Sequence, residues 1–438
     1  MQTAANAIQK QMGPEPTENI AEPKWSATRQ MKALRWHGKA DVRLDTVPAP
    51  EVTEDEDVIL KITGTTICGS DLHLYQSEIV GLQKGDILGH EFMGIIDAVG
   101  PGVRNRKVGD RVVVSFQIAC GKCEYCQKKL SSFCDRTNDS SLMQKLYGQR
   151  DAGFFGYSHF TGGYAGGQAE FVRVPYGDVN TLPIPEKLCD EDVLFLSDVL
   201  PTSYHCVVDT GVENGDVVAV WGLGPIGLCA LKWAKLKGAK RVIGIDRVPA
   251  RLEKARDLCG AETINFDEVS DIPKKLLEMT NGRGVDVALD CGTFHEPKGM
   301  LHKAQKLLML ETDSPETVNE CIKSVRKMGR VGVIAAYSLM CNQFLIGPLM
   351  EKGVRFIGNG QAPVHKYWGE ILDRIEDGSF SAQFMVSHRV PIDDFPALYK
   401  AFQARVAGVE KVFVETQFSS PPGKGYPQMT RVADWPTK

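Results

Sequence analysis

The sequence predicts an α/β chain made of a mainly-β domain and a doubly wound parallel-sheet domain. Three observations lead there. The chain has 438 residues, too many for one ordinary core, so two or three domains are expected. From Met31 to about residue 200, short β-branched runs are separated by turns. After Pro201, short apolar runs alternate with helical patterns, and a glycine-rich turn joins the first run to the first helix.

Residues 1–30 are polar and lack clear periodicity, so they are expected to form a loose or wrapped N-terminal extension. Residues 58–62, 94–99 and 111–114 are rich in β-branched residues and bounded by Gly, Asp or Asn, the signature of strands. They belong to a first domain spanning 31–200. Residues 216–221 form a nearly continuous apolar run, as a strand buried on both faces should. The next helix, 225–237, carries Ile226, Leu228, Ala230, Leu231 and Ala234 on its apolar side. Strands are predicted again at 240–246, 285–290 and 330–335. This second domain spans 201–362. Residues 363–438 then return to the first domain and end in a Pro/Gly-rich, irregular tail from Ser419.

Composition narrows the function. Hydrophobic residues make up 43% and charged residues 24%, the balance of a soluble globular protein. The net charge of −4 leaves no basic surplus to hold a nucleic acid or an anionic membrane. No apolar run approaches the roughly 18–20 residues that span a bilayer. Residues 1–20 carry acids and no apolar stretch, and the last residues match no peroxisomal or reticular address, so a cytoplasmic location and a small-molecule substrate are expected. In such a chain of twelve cysteines, clustered ones more often bind metal than form disulfides.

Four cysteines cluster. Cys120, Cys123, Cys126 and Cys134 follow the pattern C-x2-C-x2-C-x7-C. Four thiolates on a short loop can close a tetrahedral shell around zinc with no open position, which shapes a loop and performs no chemistry. Upstream lie Cys68-Gly69-Ser70-Asp71-Leu72-His73 and Gly89-His90-Glu91. One Cys and one His twenty-two residues apart prove little alone, because a lone His is more often a structural residue.

The order of these motifs resembles the medium-chain zinc alcohol dehydrogenases. Gly89-His90-Glu91, then Val99-Gly100 and Gly109-Asp110-Arg111-Val112-Val113, is similar to that family's zinc signature, and the likeness covers about residues 31–415. It implies a GroES-like catalytic domain and a Rossmann coenzyme domain. It implies that Cys68 and His90 are ligands of a catalytic zinc, with Glu91 an inner-shell or alternating ligand. The third fixed ligand is Cys in many members. Here Asp198 takes that position, as in the glutathione-independent formaldehyde dehydrogenase branch; the alternative is an Asp capping a helix. A Cys/His/Asp shell is harder than Cys/His/Cys, so its metal should be the stronger Lewis acid. By the same resemblance Ser70 and His73 belong to a hydroxyl–ribose–imidazole proton relay, against the readings of a turn hydroxyl and a surface His. Asp71 supports the shell from outside. Phe116 and Thr202 line the pocket and touch the nicotinamide. The family forms dimers and tetramers, so a homo-oligomer is expected.

Gly222-Leu223-Gly224-Pro225-Ile226-Gly227 fits G-x-G-x-x-G between a predicted strand and a predicted helix, the context a dinucleotide site requires. The glycines admit the pyrophosphate to the helix N-terminus. Asp246 ends the next strand nineteen residues past Gly227, where a carboxylate accepts from ribose hydroxyls and repels a 2′-phosphate, favouring NAD over NADP. Arg247 follows and could tolerate a phosphate; Asp246 could also be a plain strand-ending turn residue. Ala335, closing the 330–335 strand, joins the cofactor candidates. The long segment from Phe294 to Asp313 is similar in length to an insertion of the formaldehyde branch and is expected over the adenine end of NAD, slowing its release, or else in a subunit contact.

Two zinc ions per chain, NAD, and an alcohol or aldehyde substrate are therefore expected. A polyol, amino-alcohol or secondary-alcohol dehydrogenase is the competing enzyme reading, and a non-catalytic binding protein on the same fold is the remote one.

Overall fold

The computed structural model describes residues 2–292, 313–337 and 339–436. They divide into two compact units, Met1–Pro201 with Pro363–Lys438, and Thr202–Ala362. The first nine strands, all in the first unit, are β1 (Lys24–Gly38), β2 (Asp41–Glu51), β3 (Val58–Thr65), β4 (Phe92–Val99), β5 (Arg111–Val114), β6 (Gln117–Ile118), β7 (Gly153–Phe154), β8 (Phe171–Val174) and β9 (Thr181–Pro183). The second unit contributes β10 (Val217–Trp221), β11 (Arg241–Asp246), β12 (Glu262–Asn265), β13 (Val285–Asp290), β14 (Val325–Val333) and β15 (Arg355–Gly358). Two more, β16 (Val386–Pro391) and β17 (Lys411–Glu415), lie in the returning segment.

In the first unit β1 and β2 form an antiparallel hairpin, and a seven-stranded sheet runs β16-β17-β3-β4-β5-β9 with β8 also paired to β3. The central strand β3 shows why. Val58, Leu60 and Ile62 point into one core with Phe92, Ile96, Val112 and Val114. Ile59, on the opposite face, packs with Met31, Ala33 and Phe171. This two-residue alternation sets the register, since a one-residue slip would exchange the faces. Full burial of each such aliphatic side chain contributes about 1.5–3 kcal/mol. The pairing has a functional consequence. Thr65 at the end of β3 lies opposite Phe92 at the start of β4, so the residues just beyond β3 and just before β4 emerge at the same end of the sheet. Val414 of β17 also pairs with Thr65.

The second unit is a six-stranded parallel sheet in the order β12-β11-β10-β13-β14-β15. Helices Pro225–Leu236, Pro249–Cys259 and Ile272–Met279 connect β10 to β13 in turn. The strand order reverses between β10 and β13, the switch point at which ligands of doubly wound sheets bind. Ala219, Trp221, Ile243, Ile245, Ala288 and Val331 form the core beneath it.

Two expectations change. The N-terminal extension contains a helix, Gln2–Met12, and β1 already begins at Lys24. The helix is tied down by amides rather than by an apolar stripe: Gln2 donates to the carbonyl of Ile79, Asn6 to that of Leu82 and Gln9 to that of His159. That is why hydrophobic periodicity does not reveal it. The strand expected at 330–335 begins earlier and ends earlier, at Val325–Val333, with Met328 in a left-handed conformation (φ 57°) where it bends. Of the segment expected to cover adenine, residues 293–312 lie outside the described residues. Among the described residues no helix is long and apolar enough to cross a membrane.

Candidate metal and cofactor sites

Cys120, Cys123, Cys126 and Cys134 come together, with all four sulfurs within 4.8 Å of one another. Cys120 Sγ is 3.9 Å from Cys126 Sγ, and Cys123 Sγ is 4.0 Å from Cys134 Sγ. A disulfide would need about 2.05 Å. A tetrahedron with metal–sulfur bonds of about 2.3 Å has edges of about 3.8 Å, so the spacing fits zinc. The backbone N–H groups of Lys122 and Cys123 donate to Cys120 Sγ at 3.4 and 3.3 Å, and that of Cys120 donates to Cys134 Sγ at 3.4 Å. Such donors favour thiolates.

The second constellation forms where β3 and β4 deliver their ends. Ligand atoms of Cys68, His90, Glu91 and Asp198 lie within 4.8 Å of one another. Cys68 immediately precedes the short helix Gly69–Tyr75, and its N–H donates to Asp71 Oδ2 at 2.9 Å. Asp71 Oδ1 lies 3.0 Å from His90 Nδ1. That contact assigns the proton of His90 to Nδ1 and leaves Nε2 for a ligand. Nε2 faces Asp198 Oδ2 at 3.5 Å, Ser70 Oγ at 3.5 Å and Glu91 Oε1 at 3.9 Å. Burial opposes a charge on His90, but Asp71, Asp198 and Cys68 around it hold its pKa well above the ordinary value. A cation belongs at this place.

Residues that the sequence did not single out complete the shell. Gln168 donates to Asp71 Oδ2 at 3.2 Å, and Tyr399 donates to Gln168 Oε1 at 2.8 Å, so a buried chain Tyr399–Gln168–Asp71 stands behind His90. Lys411, on β17, reaches Glu91 Oε1 at 2.5 Å, with both side chains at most 3% exposed. Burial works against the charge of Lys411, yet Glu91, Cys68 and Asp198 raise its pKa above the ordinary value. Glu91 Oε2 is buried and has no protein partner. Cys68 as thiolate, Glu91 and Asp198, with Asp71 behind His90, outnumber the single positive charge of Lys411, and a divalent ion would offset the surplus. The donor set fits zinc.

Asp198 ends the turn Leu194–Ser197 and directly precedes helix Val199–Asp209, so its position is compatible with a cap as well as with a ligand. The carbonyl of its neighbour Ser197 accepts from the N–H of Phe116 at 3.1 Å, which ties this corner to the link between β5 and β6. Ser70 stands beside His90, whereas His73, farther along the same helix, pairs through Nδ1 with Glu78 Oε2 at 2.6 Å. Thr202 falls in helix Val199–Asp209.

In the second unit the glycine-rich turn follows β10 directly. Gly222 has φ +83°, and a Cβ there would meet the backbone of Gly292 at 2.9 Å. A Cβ on Gly227 would sit 1.9 Å from the carbonyl oxygen of Gly222, so the close strand–helix approach requires glycine. Gly224 has open space before it and precedes helix Pro225–Leu236, with Pro225 in its first turn, Ile226 next and Leu223 fully buried behind. An open glycine at a helix N-terminus is a cradle that suits a pyrophosphate. Asp246 Oδ2 accepts from the N–H of Leu223 at 2.7 Å, and Oδ1 accepts from those of Arg247 and Val248 at 2.7 and 2.9 Å. Arg251 Nη1 also lies 3.7 Å from Oδ2, and a carboxylate offers about four acceptor sites, so a ribose hydroxyl would share the carboxylate with these groups. Arg247 forks onto Asp267 at 3.2 and 3.0 Å and lies over the Phe266 ring. The N–H of Ala335 donates to the carbonyl of Asp290 at 3.0 Å, placing it at the end of β13.

Comparison with known proteins agrees. Residues 54–186 match the family described as alcohol dehydrogenase GroES-like domain, and residues 225–297 match that described as zinc-binding dehydrogenase. A zinc-type alcohol dehydrogenase-like protein of Schizosaccharomyces pombe is 42% identical over 413 residues, covering 94% of this chain and 97% of that one. A glutathione-independent formaldehyde dehydrogenase of Pseudomonas aeruginosa is 32% identical over 403 residues, covering 86% and 95%. Among solved structures, an alcohol dehydrogenase of Thermus sp. ATN1 superposes with a TM-score of 0.74 at 31% identity, covering 88% of this chain and all of that one.

Proposed function

The chain belongs to the zinc-type alcohol dehydrogenase family, and from that premise we propose that it moves a hydride between NAD and a primary alcohol or a hydrated aldehyde. The observation that carries the reading is the donor set Cys68, His90, Glu91 and Asp198 at one end of the β3–β4 pair. An aspartate in that set is the feature shared with the formaldehyde dehydrogenase branch, and it favours aldehyde chemistry over polyol or secondary-alcohol oxidation. Zinc held there by Cys68, His90 and Asp198 would act as a Lewis acid that lowers the pKa of the substrate hydroxyl or polarises a carbonyl.

The remaining work falls to the protein. Asp71, braced by Gln168 and Tyr399, keeps Nε2 of His90 turned inward. Lys411 holds Oε1 of Glu91, the oxygen that lies 3.9 Å from His90 Nε2. Ser70 is the hydroxyl placed to receive the substrate proton at Oγ, and His73, oriented by Glu78, is the group from which that proton leaves to water. The four-cysteine lobe holds a second, purely structural zinc. NAD is favoured because a carboxylate at the end of β11, Asp246, would repel a 2′-phosphate, while Arg247 is engaged with Asp267. A homo-oligomer in the cytoplasm completes the proposal. Oxidation of an aldehyde hydrate to the acid, then reduction of a second aldehyde to the alcohol before the cofactor leaves, would make the enzyme a dismutase.

The test is turnover on formaldehyde, longer aldehydes, primary alcohols and polyols with NAD and with NADP, with metal content measured on the same sample. The proposal expects two zinc ions per chain, preference for NAD, and aldehydes or primary alcohols ahead of polyols. Equal amounts of acid and alcohol from one aldehyde identify dismutation. Polyols as the best substrates contradict the aldehyde assignment.

A further inference from the structure

The aromatic side chains around His90 form a closed circuit. His90 meets Phe116 with centroids 6.3 Å apart, Phe116 meets Phe154 at 5.1 Å, Phe154 meets Tyr157 at 5.9 Å, and Tyr157 returns to His90 at 5.8 Å. All four contacts are edge-to-face, with interplanar angles of 71–77°. Such pairs add about 0.5–1.5 kcal/mol each beyond burial, so the circuit resists rearrangement.

The backbone locks it as well. β6 pairs with β7, and the N–H of Phe155 donates to the carbonyl of Phe116 at 3.2 Å, joining the two phenylalanine-bearing segments. Gly156, just before Tyr157, lies against Gly89, just before His90: the N–H of Gly89 donates to Gly156 at 3.3 Å, and a Cβ on Gly156 would meet the Gly89 backbone at 2.4 Å. Tyr157 is therefore fixed to the same backbone junction as the His90 ligand. Its ring packs on His90, whose Nε2 is 3.5 Å from Ser70 Oγ.

We propose that Tyr157 is a specificity-determining residue: its ring confines the carbon chain of the substrate to a short, unbranched one. This rests on the alcohol or aldehyde reading above. A substrate oxygen that hands its proton to Ser70 must approach Oγ within hydrogen-bond distance. Oγ lies 3.5 Å from His90 Nε2 and the Tyr157 ring packs edge-to-face on His90, so the ring stands beside the first carbons of the substrate. A methyl branch at the second carbon meets a ring that cannot tilt without breaking contact with Phe154 or His90. Misfit of one carbon in an apolar pocket changes discrimination by about 10–200-fold.

The experiment compares wild type with Tyr157→Ala, Tyr157→Val and Tyr157→Phe on ethanol, 2-methylpropan-1-ol and benzyl alcohol, and on the matching aldehydes. Tyr157→Ala and Tyr157→Val should raise kcat/KM for the branched and aromatic members relative to ethanol by about 10-fold or more. Tyr157→Phe, which keeps the ring, should keep the wild-type ratio. Calorimetric binding of acetamide and 2-methylpropanamide, unreactive analogues of the aldehydes, should show the same gain for the branched ligand in the truncated variants. An unchanged ratio in both truncated variants, with zinc content and folding preserved, overturns the proposal alone. A wild type inert on the whole panel overturns the oxidoreductase reading and this inference together.

Discussion

Replacement of Lys411 by Met tests the charge balance of the second cluster. The lysine and Glu91 side chains are 3% and 1% exposed and meet at 2.5 Å. Removing one partner of a buried pair leaves an uncompensated charge and typically costs about 3–5 kcal/mol, whereas replacing both by neutral groups of similar shape is often close to neutral. Lys411→Met should therefore destabilise by about that amount, and Lys411→Met combined with Glu91→Gln by much less. For a domain of roughly 150–250 residues each kcal/mol moves the melting midpoint by about 2–4 °C, so the single variant should melt about 6–20 °C lower. Because Glu91 and Asp198 also face the proposed ion, the loss should be greater after zinc is removed by a chelator. Calorimetry on wild type, both single variants and the double variant, each with zinc quantified, reads the cycle. A single variant melting within about 2 °C of wild type, or single and double losses that simply add, refutes the argument.

Three other outcomes follow from the same geometry. Cys123→Ser should remove one zinc per chain and lower thermal stability, with turnover by the folded fraction retained; an unchanged metal content contradicts the lobe assignment. Asp246→Asn should narrow the preference for NAD, mainly by weakening NAD and relieving the repulsion of NADP; a wild type that uses both equally contradicts the role of Asp246. His365 has its pKa lowered by burial from 6.5 to about 4. Between those values the unfolded chain binds a proton that the native chain does not, so stability falls as pH falls from about 6.5 towards 4, by at most about 1.4 kcal/mol per unit. His365→Leu should flatten that part of the stability profile, as followed by urea unfolding at several pH values.

Local signals made the framework legible in the sequence. Apolar runs marked β10, β11 and β13, and the glycines marked the turn after β10, because burial on both faces and close backbone approach restrict residue type at those positions. The four cysteines were legible because metal ligands on one loop must recur at short intervals. Cys68, His90 and Asp198 lie far apart in sequence and acquire meaning only from family resemblance, since the pairing of β3 with β4 is what joins the first two. Lys411, Gln168 and Tyr399 carry no local signature: each acts through contacts with residues distant in sequence, and Lys411 sits inside an otherwise ordinary strand. Tyr157 was hidden for another reason. Its segment, 153–168, turns on glycines whose conformations depend on contacts with residues such as Leu88, Gly89 and Phe92.

The most direct test of the central claim is a crystal structure of the zinc-loaded protein with anomalous data collected at the zinc absorption edge. Two peaks per chain are expected. One should lie within about 2.3 Å of the four lobe sulfurs, and the other should contact Cys68 Sγ, His90 Nε2 and an Asp198 oxygen, the last at about 2.0–2.2 Å. A fully active crystal with no peak among Cys68, His90 and Asp198, or with Asp198 turned away and another protein ligand in its place, contradicts the account.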